Sequence, residues 1–398
     1  MARPIKVIIS GGGTGGHIFP AVAIANALKR IAPDTEILFV GAHGRMEMEK
    51  VPAAGYKIIG LDIQGFQRKS LLKNIALPYR MLMSVLKSRS IIRNFKPDVA
   101  VGVGGYASGP LLYAASQMGI PYLIQEQNSF AGITNKWLGK KARLICVAFE
   151  GMEKFFPADR IMLTGNPIRK EVVNIENQRF AAAELLSLSP RKQTILVTGG
   201  SLGAGTLNKS FLAGIDKILE ADVQLIWQTG KYYYQMVKET LAGREHENIK
   251  VVEFLHKMEL AYAASDVIVS RAGAGTIAEL CVIGKPVILV PSPNVAEDHQ
   301  TQNALALVKN GAAIMIADAA AERDLVDAAL NLLRLGCLIA EAADEHLDPR
   351  HLFVLLALRL AQLLHARFAL DHDAHFIAQS AVASLARAPT RLIRVGRS

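Results

Sequence analysis

The sequence predicts an α/β chain of two similar halves, each built on a parallel sheet covered by helices on both faces. Short apolar runs of four to six residues alternate with amphipathic helical stretches, the pattern of βα units whose strands are buried on both sides. The same pattern restarts near Gln193. A chain of 398 residues, 51% of them hydrophobic, suffices for two domains with a core each.

The first strand is "KVIIS" (residues 6–10), which runs into the glycine-rich "GGGTGG" and then the helical "PAVAIANALKRIA". "EILFV", "DVAVGVGGY", "PYLIQEQ" and "LICVAF" follow as strands of the same half. The Gly and Pro of "LTGNPIR" (Leu163–Arg169) mark a turn and a hinge. The second half opens with "QTILVTGG", a glycine turn and the helical "GTLNKSFLAGIDKIL". It continues through "QLIWQTG", "IKVVEFL", "DVIVSRAG" and "PVILVPS". The expected domains are 1–163 and 164–334. Residues 335–398 form an atypical tail rich in Ala, Leu and Arg, to which no role is assigned. Lysine is absent after Lys309, and five of the ten histidines lie between His346 and His375. Ligands of such sheets bind beyond the carboxyl ends of the strands, so a cleft between the halves is the expected site.

The net charge of +10 points to a negatively charged partner: phosphate groups, an anionic membrane surface or nucleic acid. No aromatic-basic platform supports nucleic acid. No uninterrupted apolar stretch reaches the ~18 residues of a membrane span; the nearest, His351–Ala366, is broken by Arg359. The amino terminus enters a strand-like run at once, leaving no room for a signal peptide. Cys146, Cys281 and Cys337 are isolated thiols, which argues against a disulfide framework and a zinc site.

"GGGTGG" satisfies G-x-G-x-x-G through Gly11, Gly13 and Gly16. After a strand and before a helix, that arrangement either cradles a phosphate or makes a tight turn. A dinucleotide enzyme needs an acidic residue at the tip of the second strand. "EILFV" instead leads into "GAHGR", where Arg45 could serve a phosphorylated ribose, so NADP is weakened rather than excluded. Glycine loops recur in "VGVGGYASGP" (Val101–Pro110), "TGGSLGAGTLN" (Thr198–Asn208) and "RAGAGTIAE" (Arg271–Glu279). Ser201 lies inside the third, with a helix behind it that suits a diphosphate. Glu279 is expected on the first turn of the helix after the fourth, where it binds ribose hydroxyls or caps the helix dipole.

Seven motifs occur in order: "GGGTGGH", "GVGGYASGP", "QEQNSFAGITNKWL", "TGNPIR", "GGSLGA", "SRAGAGTIAEL" and "EDHQTQNA". From about Ile5 to about Leu333 the chain thereby resembles the MurG family of glycosyltransferases of bacterial peptidoglycan synthesis. The resemblance implies the GT-B fold, two Rossmann-like domains whose parallel sheets face across a cleft. It implies inverting transfer of N-acetylglucosamine from UDP-GlcNAc to the muramyl 4-hydroxyl of undecaprenyl-pyrophosphoryl-MurNAc-pentapeptide (lipid I), forming lipid II. By the same resemblance Ser201 holds the diphosphate, Glu279 the ribose, and the backbone at Leu255 the uracil. Ala274, Thr276 and Arg169 complete the donor site, and Gln300 holds hydroxyls of the transferred sugar. Thr14, Gly15, Gly16 and Asn128 reach that sugar from the first half. Neither metal nor other cofactor is implied.

His17 is the candidate base, because direct inversion requires the acceptor hydroxyl to lose its proton as the new bond forms. Its alternative role is capping the helix or orienting substrate, and Glu126 is a competitor for the base. The lipid-linked acceptor implies a peripheral enzyme on the cytoplasmic face of the inner membrane, with cell-wall synthesis proteins as partners. The apolar and basic stretch Phe66–Ser90 fits that surface through Leu72, Ile75, Leu77, Tyr79, Leu82, Lys69, Lys73 and Arg80. The other reading of this stretch is a core helix with a solvated basic side. Rival functions are another GT-B UDP-sugar enzyme (a diacylglycerol glycosyltransferase or an epimerase), an NADP-dependent oxidoreductase and a silent membrane scaffold. Family members continue with helices that close the second domain, whereas residues from about Gly336 onward depart from them. A shifted reading frame near Arg334 would produce that departure, and re-sequencing the coding DNA tests it.

Overall fold

The computed structural model describes residues 3–63, 77–168, 170–173, 175–295 and 298–344. The chain divides into two units, Met1–Lys170 with Gly273–Glu279, and Glu171–Ala272 with Leu280–Ser398.

The sheet of the first unit contains β1 (Lys6–Ser10), β2 (Glu36–Ala42), β3 (Lys57–Leu61), β4 (Val99–Gly102), β5 (Tyr122–Glu126), β6 (Leu144–Val147) and β7 (Ile161–Leu163). Their order is β3-β2-β1-β4-β5-β6-β7, with every pairing parallel. Around it lie α1 (Gly15–Ile31), α2 (Glu47–Ala53), α3 (Leu77–Phe95), α4 (Ser108–Gln117) and α5 (Ile133–Gly139). The alternation of a strand's side chains explains why the central Val7, Ile8 and Ile9 of β1 are all apolar. Val7 and Ile9 pack with Ile18, Ala21 and Ala25 of α1, while Ile8 packs with Ile91, Ile92, Leu111 and Leu112 of α3 and α4. Both faces are covered there, so none of these three positions is left for a polar side chain to meet water.

The second sheet contains β8 (Thr194–Thr198), β9 (Gln224–Gln228), β10 (Ile249–Val252), β11 (Val267–Ser270), β12 (Val287–Leu289) and β13 (Ile314–Met315), in the order β10-β9-β8-β11-β12-β13. This is the same succession as in the first sheet, beginning from β3. The helices after β7 are α6 (Arg179–Leu185), α7 (Gly205–Ala213), α8 (Ile215–Glu220), α9 (Tyr234–Thr240), α10 (Met258–Ala264), α11 (Ala274–Ile283, of which Ala274–Glu279 fall in the first unit), α12 (His299–Val308) and α13 (Ala321–Asp344). Leu325, Val326, Ala329, Leu330 and Leu333 of α13 enter the core with Phe211 and Trp227. The helix runs to Asp344, across the composition change. The rest of the tail, from residue 345, lies outside the described residues.

Sequence reading found the interior strands and missed β3, β7 and β13. Each lies at a sheet edge. The last two have three and two residues, too few for a period to register, and β3 carries a glycine in "KIIGL".

Lys285 closes α10. Its Nζ donates to the carbonyl oxygens of Tyr262 (2.6 Å), Ala263 (2.9 Å) and Ser265 (2.5 Å), acceptors a helix end leaves without intrahelical partners. Burial lowers its pKa from 10.5 to about 8, against the charge of Asp266, which raises it, and with that of Arg179, which also lowers it. The unfolded chain therefore binds more protons than the folded one between these values, and folding becomes more favourable as pH rises through the window. Denaturation of wild type and Lys285→Met at several pH values between about 8 and 10 should show wild type gaining on the variant. A constant difference would refute the lowered pKa.

Candidate active site

The first glycine loop leaves β1 at Ser10 and is pressed against the loop after β4. The Gly12 N–H donates to the Gly104 carbonyl at 3.3 Å. A Cβ on Gly105 would overlap the Gly12 carbonyl, and one on Gly104 would stand 2.7 Å from the His17 ring. Both residues also have positive φ, at +98° for Gly104 and +89° for Gly105, where a side chain is strained. Glycine here lets two loops and an imidazole share one small space.

His17 is the third residue of α1, and its Nδ1 lies 3.0 Å from Oε1 of Gln127. Gln127 is 1% exposed. Its Nε2 donates to the Val103 carbonyl at 2.7 Å and to the side-chain oxygen of Gln125. A carbonyl cannot donate, so these contacts fix the amide with Oε1 toward the imidazole. Nδ1 then carries the proton, and Nε2 keeps the lone pair that a base requires. The network extends outward through Gln125 Nε2 to Asn166 Oδ1 (2.8 Å), and Asn166 Nδ2 donates to the Gln127 carbonyl at 3.0 Å. Sequence reading missed Gln125, Gln127 and Asn166, although all three lie inside motifs it singled out.

Glu126 has a different setting from the one expected of a competing base. It is 2% exposed. Oε1 accepts from the backbone N–H (3.2 Å) and Nδ2 (3.3 Å) of Asn128. Oε2 accepts from the Gly132 N–H (3.2 Å) and Asn135 Nδ2 (2.8 Å). Buried and with four donors, the carboxylate ties the loop carrying Asn128 to the end of β5. Thr14 is the N-cap residue of α1 and makes no side-chain cap hydrogen bond; Gly15 and Gly16 open the helix.

In the second unit the third glycine loop follows β8. A Cβ on Gly203 (φ +90°) would overlap the Thr229 carbonyl, and one on Gly230 would overlap Gly203 itself. The Ser201 and Leu202 carbonyls accept from the N–H groups of Lys231 (3.1 Å) and Tyr232 (3.4 Å). These contacts present Ser201 on an exposed turn in front of α7, whose first turn carries no acidic residue. Leu255 lies beyond the end of β10, and its N–H donates to Gln228 Oε1 at 2.9 Å. Gln300 Oε1 accepts from the Ser292 N–H at 2.8 Å.

The fourth loop follows β11, where Arg271 donates to the Val290 (3.0 Å) and Pro291 (3.1 Å) carbonyls and pairs with Asp318. Asp318 also accepts from Thr206 Oγ1 at 2.9 Å, joining this loop to α7. Ala274 begins α11, with Thr276 in its first turn, and Glu279 is the sixth residue. That corrects the expected first-turn position. The helix begins at Ala274, so Glu279 is in the second turn, where dipole capping does not account for it.

On α3, Val85, Ile91 and Ile92 are buried, while Tyr79 (66%), Leu82 (57%) and Leu86 (47%) are exposed. Leu77 and Arg80 are partly buried. The solvent side of α3 is thus apolar as well as basic, unlike a core helix with a purely solvated face. Lys69, Leu72, Lys73, Ile75 and Arg169 lie outside the described residues. Among the described residues no helix is long and apolar enough to cross a membrane.

The glycosyltransferase family 28 N-terminal domain matches residues 7–147, and the family's C-terminal domain matches residues 194–351. The chain belongs to glycosyltransferase family 28. The second match extends past the composition change near Arg334. One family 28 relative is the UDP-N-acetylglucosamine--N-acetylmuramyl-(pentapeptide) pyrophosphoryl-undecaprenol N-acetylglucosamine transferase of Bacteroides thetaiotaomicron. It is 59% identical over 333 residues, 83% of this chain and 90% of the relative. The enzyme of the same name from Parabacteroides distasonis is 58% identical over 331 residues, with the same shares covered. Among solved structures, MurG of Acinetobacter baumannii superposes with a TM-score of 0.64 at 27% identity, over 97% of this chain and 96% of that one. The resemblance carried by the seven motifs therefore holds, and the fold is GT-B. A UDP-N-acetylglucosamine 2-epimerase superposes with a TM-score of 0.55 over 80% of this chain and 84% of its own. At 14% identity, that likeness is one of fold alone.

Proposed function

We propose that the chain transfers N-acetylglucosamine from UDP-GlcNAc to the muramyl 4-hydroxyl of lipid I, forming lipid II with inversion at the anomeric carbon. The observation that carries this reading is identity of 58–59% across 90% of transferases named for that reaction. His17 Nε2 takes the proton of the attacking hydroxyl, and Gln127 holds the required tautomer. The developing charge on UDP is offset by amides of the third loop and the amino end of α7, assisted by Ser201. Thr14, Gly15, Gly16, Asn128, Arg169, Leu255, Ala274, Thr276, Glu279 and Gln300 bind the donor. Glu126 acts here through the loop that carries Asn128 and not as a base.

The NADP reading is disfavoured by a carboxylate packed against the first loop: Glu47 Oε2, from α2, accepts the Gly13 N–H at 2.8 Å, so that donor is engaged and a carboxylate faces any phosphate. Incubation with UDP-GlcNAc and a lipid I analogue should release UDP in step with formation of the disaccharide. Absence of release in the full chain would refute the reading.

The acceptor's lipid places the enzyme peripherally on the cytoplasmic face of the inner membrane, with the exposed side of α3 as the contact. Replacing Tyr79 and Leu82 together by Ser should weaken binding to anionic vesicles by about tenfold or more, given ~1.5–3 kcal/mol per large apolar side chain buried. UDP-GlcNAc affinity should stay unchanged. Equal vesicle binding would remove α3 from the membrane contact.

A further inference from the structure

We propose that Glu47 is a built-in anion of the first glycine loop, taking the place a ligand phosphate has in a nucleotide-binding loop and holding the backbone that positions His17. The kinetic part of this proposal rests on the transferase reading, and the structural part does not.

Glu47 is the first residue of α2 and is 1% exposed. Its Oε2 accepts the Gly13 N–H at 2.8 Å and its Oε1 the Ala42 N–H at 3.0 Å. A Cβ on Gly12 or on Gly41 would run into the Glu47 side chain, so glycine at both positions makes room for it. Among the described residues no lysine, arginine or histidine forms an ion pair with Glu47. A buried carboxylate without a cation depends on charge-assisted hydrogen bonds. Here they come from backbone amides, one at the end of β2 (Ala42) and one in the glycine loop (Gly13), the latter a group such loops otherwise offer to phosphate.

The third loop stands at the corresponding strand end of the other sheet, after β8. Among the described residues no carboxylate accepts from the amides of Gly199–Gly203; Gly200 donates to Thr198 Oγ1 (3.4 Å) and Gly203 to the Gly200 carbonyl (3.1 Å). Two loops in equivalent places thus have opposite settings for an anion. From Gly13 the chain passes through Thr14 into α1, where the His17 N–H donates to the Thr14 carbonyl at 3.1 Å. A displacement at Gly13 is therefore transmitted to an imidazole already confined by Gly104 and Gln127. Glu47 is a positioning residue and touches no reacting atom.

The test compares the full chain with Glu47→Ala and Glu47→Gln, with and without sodium formate. It reads amide hydrogen exchange over residues 11–17 together with kcat and the KM for UDP-GlcNAc. In Glu47→Ala, Gly13 should exchange about tenfold faster or more. Its kcat should fall by about 10–100-fold, the scale of a small misplacement of a catalytic group, with KM changed by no more than about twofold. Formate should restore part of both the protection and the kcat, by returning a carboxylate to the same amides. It should do neither in the wild type nor in His17→Ala. Glu47→Gln keeps the volume but one acceptor oxygen, and should fall between the two.

Unchanged exchange at Gly13 in both variants overturns the proposal, as does a loss of kcat in folded Glu47→Ala that formate leaves untouched. If Glu47→Ala does not fold, Glu47→Gln decides: wild-type exchange and wild-type kcat would both count against it. A wild type that releases no UDP refutes the transferase reading instead. The exchange at Gly13 and its response to formate then decide the fate of Glu47 alone.

Discussion

Replacing His17 by alanine is expected to lower turnover by about 10²–10⁴-fold, the contribution of a positioned general base, while the KM for UDP-GlcNAc changes by no more than about twofold. The ring meets Gln127 and Gly104 in the first unit, whereas Ser201, Leu255 and Gln300 are held by hydrogen bonds within the second unit. Gln127→Ala supplies the second arm. It removes the oxygen that keeps the proton on Nδ1, so turnover should fall by about tenfold with the imidazole still present, the scale of an outer partner that orients a histidine. A His17→Ala enzyme with wild-type turnover would eliminate the base role.

Gly203→Ala is expected to damage the donor side by a different route. At φ +90° the added Cβ would be strained and would overlap the Thr229 carbonyl. The third loop must then move away from the segment Thr229–Tyr232, breaking the hydrogen bonds from Lys231 and Tyr232 to Ser201 and Leu202. The strained backbone alone costs about 1–2 kcal/mol, and the overlap adds to it. The KM for UDP-GlcNAc should rise by about tenfold or more, because ~1.4 kcal/mol of lost binding corresponds to each tenfold. Gly243→Ala is the control: its φ of +76° gives comparable strain, but nothing lies within 4 Å of the added atom. It should lower the melting temperature without affecting KM. Equal KM values in the two variants would refute the role assigned to the close approach of Gly203 and Gly230.

The paired sheets could be read from the sequence because strands covered on both faces need apolar side chains at every position, as Val7, Ile8 and Ile9 illustrate. The edge strands β3, β7 and β13 escape that rule, and short length removed the rest of their signal. Glycine spacing located the loops but not their contents. The role of Glu47 depends on α2 beginning at that residue and on Gly12 and Gly41 leaving it space, neither of which is visible in a one-dimensional pattern. Glu126 stands in a motif visible in the sequence, yet its chemistry depends on four donors supplied by Asn128, Gly132 and Asn135. For Glu279 the uncertainty was smaller, a helix boundary that moved it from the first turn to the second.

The parallel order of the first sheet also dictates a schedule for synthesis. Val7 of β1 pairs on one side with Ile37 and on the other with Val99, about ninety residues downstream. At roughly 5–20 residues per second, one edge of the central strand waits about 5–20 s for its partner to leave the ribosome. During that interval an apolar strand with unpaired amides is a template for the wrong neighbour. Slow translation between β3 and β4, or a shortage of chaperones, should therefore divert nascent chains into aggregates before the first glycine loop has a wall to close against.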